Sequence, residues 1–295
     1  MRIVSAFSNL KELRYLMKNG CDEVYCGMLA NGGIGRNHRP NKKEFNISGI
    51  KELRKAIILA HRHGSKISIA INEVGYNKET LKSSLEFIDN ASSLGADSFI
   101  VSDIGLMDII SRYPKQKLNA NLTLSSVVPC FNPESVNFFR KFGIKRIILS
   151  QHLFPAEAGF LKNLGLETEV FFLKSNYCRN IDGFCFYEYN NHMWSQEMPM
   201  EPCNHVTSAL KNSRLDPGAL FRYHFPPGLD PYGAVYDYYQ QGVDYLKLGS
   251  RESGFEEKKK YFLVAKAILK LLKKEKNRRK FILKSRLIAA RTGLL

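Results

Sequence analysis

Along this chain the spacing of apolar positions switches repeatedly between a period of two and a period near 3.6. Short apolar or β-branched runs fall at 2–6, 22–26, 66–71, 97–102, 117–124, 145–150, 167–173 and 244–248, and the pattern predicts a strand at each. Helical spacing covers 8–19, 47–63, 78–94, 104–113, 133–142, 154–164 and 256–274. Many of these helices run into a glycine (Gly20, Gly64, Gly95, Gly143, Gly165), the residue that most readily takes the left-handed turn closing a helix. Eight strands, each followed by a helix except where loops intrude, predict an α/β fold of the TIM-barrel-like (β/α)8 kind. A doubly wound open sheet is the alternative, because periodicity does not reveal closure.

Two connections exceed the usual two to six residues. One covers 27–46, after the second strand, and includes Gly32-Gly33-Ile34-Gly35, which lacks the strand–turn–helix context of a phosphate loop. The other covers 174–242, after the seventh strand. Both leave strand C-termini, where barrel enzymes carry their sites. The pattern therefore predicts a barrel domain over 1–274 with an insertion at 174–242, followed by a helical extension over 275–295.

With 295 residues and 44% apolar content, the chain can build one large core. It has no apolar run of about 18 residues and no secretory leader, so the expectation is a cytoplasmic protein without a membrane span. In that compartment its six cysteines are expected to be reduced or metal-bound rather than paired. The net charge is +16, and residues 251–295 hold fifteen Lys or Arg against four Glu, so +11 of it lies there. Such a stretch suits RNA, an anionic substrate or a partner surface, and equally a solvated helix face.

Three cysteines fall within the long insertion: Cys178, Cys185 and Cys203. A cysteine cluster in a loop over a barrel suggests a metal or iron–sulfur centre, since thiolate is the ligand that iron–sulfur cubanes use best. Zinc is the competing occupant, although the tight Cys-x2-Cys knuckle is missing; bystander thiols are the third reading. A fourth ligand could come from Cys26, expected near the barrel mouth at the end of strand two, from Cys130, or from His192 or His205, or the cluster could keep three cysteines and an open iron. Cys21 reads as a core residue.

Polar residues at strand ends form a second set of candidates. Asp103, Lys247 and His152 are candidate catalytic groups; Arg36, Arg39, Asn72, Gln151 and Arg251 are candidate substrate contacts, with arginine suited to clamping carboxylates. Asp103 also reads as a helix N-cap, and Lys247 either points inward with a partner or faces out. His61 and His63, beside Gly64 at a helix end, suit the helix dipole instead.

The opening C-D-E-V-Y-C-G, the stretch F-N-I-S-G-I-K-E-L-R-K-A, then G-A-D-S-F-I-V-S-D-I-G-L, L-N-A-N-L-T-L-S-S, G-I-K-R-I-I-L-S-Q and G-V-D-Y-L-K-L-G-S-R follow one another in an order that resembles the peptidase U32 family over about 1–274. That resemblance implies a TIM-barrel-like domain and, in its better understood branch, a [4Fe–4S] cluster on four cysteines, with oxygen-independent hydroxylation of a small molecule or of RNA. Cys178-x6-Cys185 matches the first cysteine pair of that branch and Glu201-Pro202-Cys203 the end of the second. Pro199 stands where the fourth cysteine is expected. The family also implies two other roles: a partner subunit of a heteromeric U32 complex, and a peptidase. For the latter no Gly-x-Ser-x-Gly or His-Glu-x-x-His is present.

Overall fold

A computed structural model of the chain describes residues 1–28, 46–73, 75–113, 118–150, 153–172, 230–249 and 254–294. Strand β1 (Arg2–Ala6) leads into α1 (Leu10–Lys18) and β2 (Glu23–Met28), against which the two-residue β3 (Asn46–Ile47) pairs. There follow α2 (Ile50–Arg62), β4 (Lys66–Ile71), α3 (Lys78–Ser93), β5 (Ser98–Val101) and α4 (Ile104–Ser111). The second half holds β6 (Asn121–Leu124), α5 (Pro133–Arg140), β7 (Ile144–Ile148), α6 (Pro155–Lys162) and β8 (Glu167–Phe172). It ends with α7 (Pro231–Gln240), β9 (Tyr245–Leu248), α8 (Phe255–Lys274) and α9 (Arg278–Arg291). Every strand pairing is parallel, and β1 pairs with both β2 and β9. The sheet therefore closes into an eight-stranded barrel with helices between its strands, and the open-sheet alternative is excluded.

All eight predicted strands are present. The closing glycines adopt the left-handed turn, with φ of +97° at Gly95 and +79° at Gly143. At the opposite ends of the helices, Asn9, Asn77, Asp103, Asn132 and Asp230 each accept a first-turn backbone N–H. Two elements were not predicted. One is β3; the other is α7, whose residues Tyr232, Gly233, Ala234, Val235, Tyr236 and Tyr238 are all buried, leaving little polar face to mark a helical period. Its legible signal was Asp230 followed by Pro231, a cap with proline at the first helical position.

A Gly-x-Asp triplet recurs at the N-terminal ends of three strands and rivets the barrel there. The Asp22 carboxylate accepts Ile3 N–H (2.8 Å) while its carbonyl accepts Lys66 N–H (3.1 Å). Asp97 does the same with Ile67 (2.8 Å) and Asn121 (2.9 Å), and Asp244 with Thr168 (2.8 Å) and Arg2 (2.8 Å). Each aspartate thus bonds the strands on both sides of its own. Replacing Asp97 by Ala strands the N–H of fully buried Ile67; a loss of about 1–3 kcal/mol in urea unfolding is expected. Asp97→Asn, which keeps an acceptor, should recover most of it.

The extension packs back on the barrel. Phe281, Ser285 and Ala289 of α9 are buried, Arg278 forks the Asp237 carboxylate through Nε and Nη2, each at 2.8 Å, and Arg286 pairs with Asp230.

Candidate active site at the barrel mouth

Strand alternation divides the wall residues into two sets. Val24, Cys26, Ile69, Phe99 and Leu246 join the helices in the main apolar core. Val4, Ala6, Tyr25, Ile100, Ile148 and Tyr245 form a separate inner cluster, with Phe171 against it. That inner cluster is small because charge fills the rest of the lumen. Barrels ordinarily fill this space with branched apolar side chains.

Arg146 is at the centre of the lumen. Its Nη1 and Nη2 donate to the two Glu23 oxygens at 2.8 and 2.9 Å, Nη1 also reaches Glu169 at 3.1 Å, and Nε reaches Glu167 at 3.2 Å. Lys247 Nζ donates to Glu169 Oε1 at 2.6 Å and lies 3.9 Å from the centre of the Tyr25 ring. Ser68 donates to Glu23 at 2.6 Å. The Tyr245 ring is stacked between Arg2 (4.1 Å) and Arg146 (3.6 Å), and its hydroxyl donates to Glu167 at 3.0 Å. Burial alone would lower the Arg146 pKa, yet the Glu23 and Glu169 carboxylates raise it above its ordinary value. Within the lumen two carboxylates, Glu23 and Glu169, balance two cations, so no charge is buried alone, the condition under which burial is tolerated.

Lys247 was expected either inward with a partner or outward; it points inward, paired with Glu169. It is the last inward side chain of β9, since the next inward position is Gly249. Above it the strand ends present small polar groups. Asn72 Nδ2 donates to Ser125 Oγ at 3.2 Å, and Ser102 and Ser150 are buried at the same end. The Ser102 hydroxyl, 3% exposed as a residue, has no hydrogen-bond partner among the described residues. Asp103 uses both oxygens locally, accepting Leu106 N–H at 2.8 Å as the α4 cap and Gly75 N–H at 3.1 Å. That geometry gives Asp103 a structural task at the rim. His61 pairs with Asp97 (2.9 Å) and His63 with the Leu59 carbonyl (3.0 Å), both away from the mouth.

The cysteines separate clearly. Strand β2 runs on to Met28, so Tyr25 faces the lumen and Cys26 faces the helices, wholly buried. The expectation that Cys26 points to the mouth is corrected by this register. Cys130 is also buried in the helix-side core, and burial pushes its thiol up to about 12. Cys21 is buried as expected, its thiol likewise raised by burial. Among the described residues no group of three or more His, Cys, Asp or Glu could hold a metal ion. Cys178, Cys185, Cys203, His192, His205, Arg36, Arg39, Gln151, His152 and Arg251 lie outside the described residues. Their segments leave the C-terminal ends of β2, β7, β8 and β9, all at the mouth.

The charges Glu23, Arg146 and Glu169 were missed as a group by sequence reading. Their signal was a charged residue inside each of four otherwise apolar strands, in D-E-V-Y, K-R-I-I, E-T-E-V and Y-L-K-L, with both signs represented.

Known proteins resemble the chain over much of its length. It is 26% identical over 185 residues to tRNA hydroxylation protein P of Escherichia coli, covering 62% of this chain and 38% of that protein. It is 30% identical over 194 residues to an uncharacterized protease of Methanocaldococcus jannaschii (63% and 43%). It is 24% identical over 173 residues to the 23S rRNA 5-hydroxycytidine synthase of E. coli (59% and 24%). The chain thus spans less than half the length of these curated relatives. Among solved structures, the U32 peptidase Mk0906 superposes with a TM-score of 0.55 at 14% identity, covering 86% of this chain and 94% of that one, which bears on the fold. The model of peptidase family U32 matches residues 8–292, reaching through α9 and past the boundary expected at 274. The chain belongs to peptidase family U32.

Proposed function

We propose that this U32 barrel is an oxygen-independent hydroxylase of RNA, with an iron–sulfur cluster held over its mouth by Cys178, Cys185 and Cys203. The observation that carries this reading is the likeness of the barrel to two proteins named for hydroxylating tRNA and 23S rRNA. The donor set fits the cluster. Three thiolates lie in the segment that leaves β8 at the mouth, while Cys26 and Cys130 are turned into the helix-side core. The fourth corner then falls to His192, His205 or substrate. When bound, such a cluster supplies one-electron chemistry and, at an open iron, a Lewis-acid position. The chain's own mouth residues have simpler tasks. Lys247, held and neutralised by Glu169, sets its ammonium beneath the mouth as a hydrogen-bond donor, and Asn72, Ser102 and Ser125 offer donors and acceptors that orient a polar substrate without adding charge.

A subunit that completes its site with a homologous U32 partner is the second reading, favoured by the three-thiolate set. The peptidase reading rests on a relative's name, and among the described residues no side chain hydrogen-bonds the Ser102 hydroxyl at the mouth. Nucleoside mass spectrometry tests the proposal. RNA from cells producing the wild-type chain should contain a nucleoside heavier by one oxygen that is absent with Cys203→Ser. Identical nucleoside profiles from the two would contradict it.

A further inference from the structure

We infer that the α8–α9 flank is a docking surface for the phosphate backbone of RNA; this deepens the proposed function and rests on it for the choice of partner. From Lys258 onward the chain holds fourteen Lys or Arg and one acidic residue, Glu275. Part of that charge is spent within the fold. Lys258 is buried on Glu12 (2.9 Å) and Ser8 (3.0 Å), Arg278 and Arg286 hold α7, and Lys284 holds Glu275 at 2.6 Å. A second set has no such task. Lys270, Lys273, Lys274, Lys276, Arg279 and Lys280 are all exposed, and none forms an ion pair or side-chain hydrogen bond among the described residues.

These six fall within eleven consecutive residues around the α8–α9 turn. Like charges packed at this density repel one another, and the one carboxylate among them, Glu275, is held by Lys284 at 2.6 Å and offsets only part of that charge. A polyanion does so by releasing its own counterions. From this turn α8 runs back toward the mouth over about 30 Å, carrying Lys266 and exposed Lys260, whose ammonium groups donate to the Asn19 and Gly293 carbonyls and meet no carboxylate among the described residues. A backbone anchored at the turn and following α8 arrives where the strand ends open.

The surface favours RNA over a lipid bilayer. Membrane-bound helices insert an apolar face, but α9 has spent its own on the barrel, burying Phe281 and Ala289. Leu283 and Leu287, 61% and 58% exposed, are too little to anchor it.

The test uses the full chain, purified in air without reconstitution, and a fluorescently labelled, unmodified tRNA transcript followed by anisotropy. The comparison variant carries Lys270→Gln, Lys273→Gln, Lys274→Gln, Lys276→Gln, Arg279→Gln and Lys280→Gln, with its melting temperature checked against wild type. Wild-type affinity should fall by about 10³ between 50 and 200 mM salt, as six phosphate contacts require, and the variant should lose most of that dependence. Leu283→Ser with Leu287→Ser should bind as wild type does. Equal affinity and equal salt slope in the sixfold variant would overturn the inference, as would tighter binding to phosphatidylserine vesicles or polyglutamate than to tRNA. Because no cluster is needed, failure here is distinct from failure of the hydroxylase reading, which is read from iron and modified nucleosides.

Discussion

Arg146→Met is expected to lower stability by about 3–5 kcal/mol, the largest loss for any single lumen residue, because it leaves buried carboxylates without their cation. Glu23 and Glu169 are 2% and 1% exposed, and three of the hydrogen bonds that satisfy them end on this one guanidinium, which also bonds Glu167. Arg146→Lys keeps the charge but loses the fork to Glu23, so an intermediate loss is expected. Adding Glu23→Gln to Arg146→Met should restore part of the stability, since residues of one network do not contribute additively. Urea unfolding measures all three; a loss under about 1 kcal/mol for Arg146→Met would mean that water reaches the lumen freely.

The same network gives the variant a pH signature. Burial works to raise the Glu167 pKa, but Arg146, the Tyr245 hydroxyl and Arg2 outweigh it and hold the group below its ordinary 4.5. A depressed carboxylate stabilises the fold above its unfolded pKa and loses that contribution as pH falls through the folded value. Removing Arg146 takes away the main cause. The stability gap between wild type and Arg146→Met should therefore narrow as pH drops below about 4.5.

Cysteine replacement should have the largest effect on cofactor content. Cys178→Ser, Cys185→Ser and Cys203→Ser are each expected to abolish iron retention after anaerobic reconstitution, because a cubane with only two protein thiolates is poorly held. Cys130→Ala should keep its iron: its thiol is pushed up to about 12 by burial and faces the helices, so the cost there is one of packing. Cys26→Ala should behave in the same way.

The fold was legible because each level of the sequence agreed with the others. The strands alternate, many of the helices end at glycine, and asparagine or aspartate caps stand where the chain leaves several of the strands. What escaped was set by long-range geometry. The partner of Lys247 is Glu169, 78 residues away, and only closure of the sheet brings them together. Cys26 was misplaced because strand two was expected to end there; continuation to Met28 fixes the alternation and turns the thiol outward. Helix α7 was hidden by its own burial, since a helix covered by α6 and α9 needs no polar stripe. At the mouth, Asn72 and Lys247 were legible as strand-end polar groups, whereas the balanced set beneath them was not, because a charge pattern shows its partners only once the barrel is closed.

The most direct test of the account is iron analysis of the wild-type chain, purified and reconstituted without oxygen, with its visible spectrum recorded beside that of Cys203→Ser. The expected result is a brown protein with about four irons per chain and thiolate-to-iron absorption, both lost in the variant. A colourless wild-type chain without iron, or one holding a single zinc, would contradict it.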